Sequence, residues 1–476
     1  MKKYVKFVSV VLLLILIFFT FTSCGGVKYG YLLLLPNELR AASILEIINT
    51  RIEEADSYML TAKTKIDGMV GDLDVTSEST VVEKFSGLNS VHPMKISRGS
   101  YESDYFYDQR DLKVDIIEGY QYGQFYRHVT TDGGFESKLT SPATKEEFEE
   151  YNDAMLSEGV VINPEIDKVT SKREKDGSWV VSATITDLTG IKDIDDFESM
   201  TTGYKVSALE INITAKKDFS EWETRIDLIF EKIEGYNARI TDRYTASVEM
   251  VSTFSNFNSI NVEKQDLSDY CICSDLRLIS KISNQLNDKL DIPEGSFEIA
   301  LEQKGTLGRY NVMQLEKDVV EFGNDEKGFF YSADYITSDK RTWVKYIEGK
   351  KVENGNQTES SDIEEKSYLT AMFTSGFFNE QYISLIETDP NDPSKHIFTL
   401  EMTKDVLRMI NNGEKTFDNG SIKITFTMSG DRVTEIYSEI NLWSSEYSTY
   451  KITISNNCKF TEPIQNPSDV SGDIVA

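Results

Sequence analysis

Histidines, cysteines and carboxylates are the residues of this chain that could carry out catalysis or bind a metal. Three histidines occur among the 476 residues, His92, His128 and His396, and none lies in an HExxH or similar ligand spacing. The sequence also lacks a GxSxG nucleophile elbow, a GxxxxGK phosphate loop and a GxGxxG motif after a predicted strand. We therefore expect a protein that is not an enzyme and that uses no cofactor.

Apart from Cys24, the cysteines are Cys271, Cys273 and Cys458. A structural zinc site needs about four Cys or His ligands, and these three cysteines lack a nearby histidine. Disulfides form in exported proteins, so one interpretation is a bond from Cys271 or Cys273 to Cys458, with one thiol left over. A Cys273–Cys458 bond is the pairing we carry forward. The other interpretation is three reduced thiols.

Two acidic clusters have some features of cation-binding loops. In the first, residues 193–198, Phe197 stands where an EF-hand loop has its third oxygen ligand, and no glycine follows. In the second, residues 389–394, two prolines indicate a turn. Such clusters arise by chance in a chain with 79 acidic residues. We therefore predict no metal site, and both clusters are expected to be solvated turns.

The first 23 residues have the composition of an export signal. Lys2, Lys3 and Lys6 precede a largely apolar run over 7–21, and small residues lead up to Cys24. An apolar run of about 15 residues is short for a membrane-spanning helix, which needs about 20. The sequence therefore predicts that residues 1–23 direct the chain to export.

The segment Phe-Thr-Ser-Cys at 21–24 resembles the lipobox of bacterial lipoproteins, although Phe21 stands where that family usually has Leu, Val or Ile. The resemblance implies that residues 1–23 are removed as a lipoprotein signal peptide and that Cys24 is the lipid-attachment site, carrying diacylglycerol and palmitate. It also implies that the protein is anchored to the outer face of the bacterial cytoplasmic membrane. A plain signal peptide or an uncleaved anchor, with an incidental cysteine, is the alternative.

The net charge of −29 argues against a nucleic-acid partner. A nucleic-acid-binding protein needs a positive surface to replace the counterions of the phosphates, so we expect no nucleic-acid partner. Loss of residues 1–23 removes three lysines and no carboxylate, which makes the remaining chain more acidic still. Such a surface is repelled by anionic lipid head groups.

A predicted tether, residues 24–36, joins the lipid site to the body of the protein. It contains Tyr31 and four consecutive leucines at 32–35, which is unusually apolar for a lipoprotein tether. The leucines could pack on the body or dip into the membrane interface. Pro36, and the helical pattern that starts directly after it, favour packing.

An internal repeat divides the remaining chain into two halves. YNDAMLSEG at 151–159 and YLTAMFTSG at 368–376 share Tyr, Ala, Met and Gly, together with one apolar and one hydroxyl residue at matching positions, and an acidic, helix-favouring segment precedes each. Each half also contains Ile-Glu-Gly after a predicted strand, at 117–119 and 347–349. The predicted organisation is a first domain over 37–262, a junction over 263–275, a second domain over 276–462 and a flexible tail over 463–476.

The elements follow the same order in both halves. Apolar residues at helical spacing predict an N-terminal helix at 38–55 and at 275–290, and a mid-domain helix is predicted at 144–156 and at 362–372. Between the helices, apolar and polar residues alternate, as in antiparallel strands with one buried face. The fold class is therefore α+β and mostly antiparallel β, with two tandem curved sheets in a half-barrel arrangement.

This order resembles the LolA-like family and its LppX-like lipoprotein relatives. The resemblance implies a curved, incompletely closed sheet around an apolar cavity, with the mid-domain helices as lids. It implies a non-catalytic protein that binds a hydrophobic or amphiphilic, lipid-like ligand. Tyr120, Tyr122 and Tyr126 are predicted to alternate on one strand face and are the candidate ligand-binding residues, although packing in the core is the default role for such residues.

Two functions are carried forward from the sequence. The first is a membrane-anchored extracytoplasmic lipoprotein that binds a lipid or amphiphile in its curved sheets. The alternative is a cell-surface scaffold or sensor that binds another envelope protein and has no ligand cavity. Both have the membrane as a partner through the lipid on Cys24.

Overall fold

A computed structural model provides the structure of the chain. It describes residues 29–70, 73–105, 110–157, 168–186, 188, 204–232, 243–307, 309–325, 327–337, 340–374, 376–404, 406–407, 417–430, 432–444 and 451–461. The predicted signal peptide, Cys24, the acidic cluster at 193–198 and the tail at 463–476 lie outside these residues.

The helices of the described residues are short and lie where the apolar spacing predicts them. The α-helices are α1 Asn37–Glu53, α2 Lys145–Ser157, α3 Leu278–Asp288 and α4 Asp362–Phe373. Two 3₁₀ helices cover Gly30–Leu34 and Glu380–Tyr382. Helix α2 begins with a capping box, in which Thr144 and Glu147 each accept a hydrogen bond from the other's backbone N–H. Among the described residues, no helix is long and apolar enough to cross a membrane.

The strands form two large, open, curved sheets. The first contains β1 Tyr58–Val70, β2 Leu73–Ser86, β3 Met94–Tyr105, β4 Arg110–Gln121, β5 Gln124–Thr131, β6 Glu136–Pro142, β7 Lys168–Arg173, β8 Trp179–Ile185, β9 Tyr204–Ala215, β10 Trp222–Lys232, β11 Arg243–Ser255 and β12 Cys271–Ile272. The second contains β13 Glu294–Leu307, β14 Tyr310–Asp325, β15 Gly328–Thr337, β16 Arg341–Ile347, β17 Lys350–Glu353, β18 Asn356–Glu359, β19 Ile383–Asp389, β20 Asp392–Leu400, β21 Asn419–Ser429, β22 Arg432–Trp443 and β23 Lys451–Thr461.

Contacts divide the chain into two compact units. The first unit consists of Met1–Phe125 and Ala143–Asp266, and the second of Tyr126–Pro142 and Leu267–Ala476. The domain ranges 37–262 and 276–462 stay a prediction. Within the second unit, β12 pairs in parallel with β6, and Cys273 N–H donates to the carbonyl of Thr140 at 2.8 Å.

Both units repeat one strand order. The first unit has β4-β3-β2-β1-β11-β10-β9-β8-β7, and the second has β16-β15-β14-β13-β23-β22-β21-β20-β19. The first and last strands of each series in chain order, β1 with β11 and β13 with β23, therefore pair in the middle of the sheet, and every pairing within these two series is antiparallel. This arrangement confirms the predicted fold class of two tandem, mostly antiparallel curved sheets with an N-terminal and a mid-domain helix each.

One part of the sequence comparison between the halves is wrong. Gly119 of the first Ile-Glu-Gly lies inside β4 and pairs with Ile96, whereas Gly349 of the second is in the turn after β16. The two tripeptides are therefore not equivalent in structure. The equivalent turns are Tyr122-Gly123 and Glu348-Gly349, in which all four residues have positive φ values between 46° and 81°.

Candidate functional site

The two equivalent turns provide a reference point for aligning the first unit with the second. The carbonyl of Gly123 accepts a hydrogen bond from Ala143 at 2.9 Å, and that of Gly349 accepts one from Ser360 at 3.1 Å. Ala143 and Ser360 each lie two residues before the first residue of a mid-domain helix. Positions in the two sheets can therefore be matched by counting from these turns.

Following the strand partners from the turns gives matched rows of side chains. In the first unit the row is Tyr120, Lys95, Phe85 and Tyr58. In the second unit it is Tyr346, Tyr331, Phe322 and Gly295. Two residues further along, β1 pairs with Phe254 and β13 pairs with Phe460. Phe254 in turn pairs with Trp222 of β10, and Phe460 lies opposite Thr434 of β22, the residue before Glu435. Tyr58 and Trp222 thus correspond to Gly295 and Thr434.

The first unit fills this region with aromatic rings. Tyr58 and Trp222 are both almost completely buried. The Tyr58 ring stacks on Phe85 with a centroid distance of 4.5 Å, and the Trp222 ring stacks on Phe254 at 5.2 Å and on Phe257 at 4.8 Å. Stacked aromatic rings of this size bury a large apolar area. The first unit therefore has a packed core here.

The second unit has a cavity at the corresponding place. Its volume is about 320 Å³, at the lower end of the range for ligand pockets. The described residues that line it are Gln285, Lys289, Ile292, Gly295, Ser296, Phe322, Arg432, Val433, Thr434, Phe460 and Thr461. The aromatic rings that close the first unit are replaced here by a glycine and a threonine, which accounts for the open space.

The Phe322 ring lies close over Gly295, so a side chain at this position would have to displace it. A Cβ atom at position 295 would lie 2.5 Å from Phe322 Cζ and 2.8 Å from Ile292 Cδ1. A glycine inside a strand often marks a close approach of this kind. Thr434 lines the same cavity, and its hydroxyl donates to the carbonyl of Thr427 at 3.1 Å.

The cavity combines an apolar wall with two cationic side chains. Phe322, Val433 and Phe460 supply the apolar wall. Lys289 Nζ lies 4.9 Å from the centroid of the Phe460 ring, a cation–π distance, and Arg432 is the second cation. None of the described lining residues is a carboxylate. The cavity is therefore suited to a ligand with a hydrocarbon part and an anionic or polar end.

Helix α4 is fixed to the second sheet by a buried polar cluster. Glu365 on α4 accepts hydrogen bonds from Lys351 Nζ at 3.0 Å, from Ser360 Oγ at 2.7 Å and from the Tyr331 hydroxyl. The Glu365 side chain is 4% exposed and that of Lys351 24%. Burial and the hydrogen bond to Glu365 raise the pKa of Tyr331. A charged pair under a helix limits the freedom of that helix to act as a lid.

The first unit holds its helix by aromatic packing instead. Phe148 on α2 stacks on Tyr120 at 4.5 Å and also contacts Phe125, two residues after Gly123. Lys351 is equivalent to Phe125, because it lies two residues after Gly349. Phe148 and Glu365 are equivalent to each other, because they lie five residues after Ala143 and Ser360, respectively. The Phe125–Phe148 contact of the first unit is thus replaced by the Lys351–Glu365 ion pair in the second.

The three tyrosines predicted as ligand contacts do not share a strand face. Tyr120 is the penultimate residue of β4, Tyr122 is in the turn with φ 46°, and Tyr126 lies in β5. The tight turn reverses the chain between them, so the predicted alternation along one strand is wrong. Tyr120 packs against Phe148, Tyr126 is buried beside Tyr270, and Tyr122 is half exposed. None of them lines the cavity described above, and their role as ligand contacts stays a prediction.

The three described cysteines are reduced. Cys271 is exposed, whereas Cys273 and Cys458 are buried, and all three are free thiols, so the Cys273–Cys458 disulfide is not formed in this structure. Cys458 lies on the central strand β23, opposite Ile299 and Ile436, while Cys273 follows β12. Burial raises the pKa of the Cys273 thiol to about 12.

The described residues contain no group of three or more His, Cys, Asp or Glu side chains arranged to hold a metal. At 389–394, Asp389 and Asp392 accept hydrogen bonds from the backbone N–H groups of Asn391 and Ser394. These bonds stabilise the predicted turn between β19 and β20. The acidic cluster at 193–198 lies outside the described residues.

Sequence reasoning missed the cavity residues because none belongs to a motif. Two signals were nevertheless present: Gly295 interrupts an otherwise alternating strand, and Thr434 occupies the place of Trp222 when the halves are aligned correctly. The correspondence of Thr434 with Trp222 is found only when the halves are aligned on the turns at 122–123 and 348–349. An alignment on the two Ile-Glu-Gly tripeptides does not produce it.

Comparisons with known proteins do not identify the chain. No protein-family model matches the sequence, and no curated protein matches it. Among solved structures, the chain is similar to a protein of unknown function of the DUF3598 family from Nostoc punctiforme, with 6% identity over 87% of this chain and 98% of that chain and a TM-score of 0.13. It is also similar to transferrin binding protein B from Haemophilus parasuis, with 7% identity over 86% of this chain and 76% of that chain and a TM-score of 0.15. For transferrin binding protein B from Neisseria meningitidis the identity is 7% over 86% and 77%, with a TM-score of 0.14. TM-scores this low assign neither a family nor a function.

Proposed function

We propose that the chain is an exported, non-catalytic lipoprotein, anchored through Cys24 to the outer face of the bacterial cytoplasmic membrane, and that its second unit binds a small amphiphile. The observation that carries the ligand proposal is the cavity of about 320 Å³ with an apolar wall and two cations. The filled counterpart in the first unit supports a single ligand site, because Tyr58 and Trp222 occupy the corresponding space. The repeated helix and strand order supports the resemblance to LolA-like lipoproteins.

Native mass spectrometry tests the ligand proposal on the purified chain. Dodecanoate is a suitable probe because its single short acyl chain matches a small cavity and its carboxylate matches Lys289 and Arg432. We expect one bound dodecanoate per chain and weaker binding of the uncharged dodecanol. No retained amphiphile of either kind would contradict the proposal and favour the alternative, a scaffold that binds another envelope protein.

Lipid attachment at Cys24 is tested in the bacterial host. A chain with the natural sequence is expected to incorporate labelled fatty acid, and a Cys24→Ala variant is expected to incorporate none, because the thiol is the acceptor of the diacylglycerol. Cys271→Ala is the matched control, since Cys271 is an exposed free thiol outside the lipobox-like segment. Label on the Cys24→Ala variant would show that the lipobox resemblance is incidental.

A further inference from the structure

The first described residues display apolar side chains to solvent although the segment itself is fixed. Within the nine residues from Tyr31 to Leu39, four large apolar side chains are exposed: Tyr31 by 42%, Leu33 by 49%, Leu34 by 77% and Leu39 by 59%. We call these four residues the N-terminal apolar patch. The sequence favoured packing of the leucine run, and this is correct for Leu32, which is completely buried, but not for Leu33 and Leu34.

Hydrogen bonds hold the segment in this orientation. The Arg40 guanidinium donates from Nε to the carbonyl of Leu32 at 2.9 Å and from Nη2 to that of Leu35 at 2.8 Å. Its Nη1 donates to the carbonyl of Ser171 on β7 at 3.2 Å. The Tyr29 ring packs edge-on against Phe219 at 4.7 Å. With Leu32 and Tyr29 packed inward, the 3₁₀ turn directs Leu33 and Leu34 outward.

The length of chain before the segment limits where it can lie. Only five residue steps separate Cys24 from Tyr29, and a fully extended chain covers about 18 Å over that length. If Cys24 carries acyl chains, the N-terminal apolar patch cannot move far from the bilayer surface. Burial of an apolar side chain in the membrane interface is favourable. The tether raises the effective concentration of the patch at the membrane, so that even a weak contact forms.

We infer that the N-terminal apolar patch docks on the surface of the lipid bilayer that holds the anchor, with Leu33 and Leu34 in the interface. The inference rests on the proposed anchor at Cys24 and does not depend on the ligand cavity. The contact is apolar, so it operates on zwitterionic lipid, whereas the acidic surface of the chain opposes binding to anionic lipid. It would fix which part of the first unit faces the membrane.

Quenching of an added tryptophan by brominated lipid tests this inference. The lipidated full chain is placed on phosphatidylcholine vesicles with and without brominated acyl chains, and Leu34→Trp is compared with Val91→Trp. Val91 is the matched control because it is an apolar residue of the first unit with 78% exposure. Interfacial side chains reach about 5–10 Å into the head-group and acyl boundary, so we expect about twofold or stronger quenching of the tryptophan at position 34 and almost none at position 91.

Equal quenching at positions 34 and 91, measured against the parent chain with its own four tryptophans, overturns the inference. Failure of the anchor is separate, because it is detected as a lack of label on Cys24. If the chain carries no lipid, the same two variants are mixed with an excess of the same vesicles. Quenching confined to position 34 then still supports the docking surface, and its absence rejects it.

Discussion

A Thr434→Trp variant is expected to lose the bound amphiphile and to keep its fold. Thr434 occupies the position that Trp222 fills in the first unit, and its side chain lines the cavity beside Phe460. An indole at this position would stack on Phe460 as Trp222 stacks on Phe254 at 5.2 Å. Because the added ring occupies space that is empty in the natural chain, we expect binding of dodecanoate to fall at least about tenfold, which corresponds to about 1.4 kcal/mol.

The measurement is native mass spectrometry with dodecanoate, combined with the thermal unfolding midpoint. Thr358→Trp is the matched control, because Thr358 is exposed on β18 of the same sheet and does not line the cavity. We expect this control to bind like the natural chain. A Thr434→Trp variant that folds normally and binds dodecanoate with unchanged affinity would place the ligand elsewhere.

Local sequence patterns predicted most of the fold. Leu209, Ile211 and Ile213 alternate with polar residues and lie with their side chains buried in β9. The spacing of Ile279, Ile282 and Leu286 predicted α3, and all three are buried. These predictions succeed because period 2 and period 3.6 are properties of neighbouring residues, which a single sequence contains.

The cavity depends on partners far apart in the chain, and this is why the sequence did not reveal it. Thr434 matters only because β22 places it against β23, and Gly295 only because Phe322 of β14 covers it. Tyr122 shows the same limit on a smaller scale. Its positive φ converts an apparent strand alternation into a turn, and tyrosine is not a residue that signals such a turn.

The second large effect is expected at the ion pair under α4. A Glu365→Ala variant leaves the Lys351 ammonium and the Tyr331 hydroxyl without their buried acceptor. Removing one partner of a buried pair costs about 3–5 kcal/mol, so we expect a loss of that size in the free energy of unfolding of the second unit. Urea unfolding followed by hydrogen exchange in peptides from α4 measures it. Lys366→Ala is the control, since the Lys366–Asp291 pair is more exposed and is expected to contribute less than about 1 kcal/mol.

The first unit indicates how the lost stability can be restored. Phe125 and Phe148 occupy the positions of Lys351 and Glu365 there and pack against each other, while the position of Tyr331 is held by Lys95, which is buried and paired with Glu83 at 2.8 Å. A triple variant, Lys351→Phe, Glu365→Phe and Tyr331→Phe, removes both charges and the hydroxyl together, and replacing a buried ion pair by apolar residues is often neutral or stabilising by about 1–4 kcal/mol. We therefore expect the triple variant to be more stable than Glu365→Ala. If it is less stable, the charges do more than hold α4 in place, because the Phe–Phe contact found at these two positions in the first unit would then fail to replace them in the second.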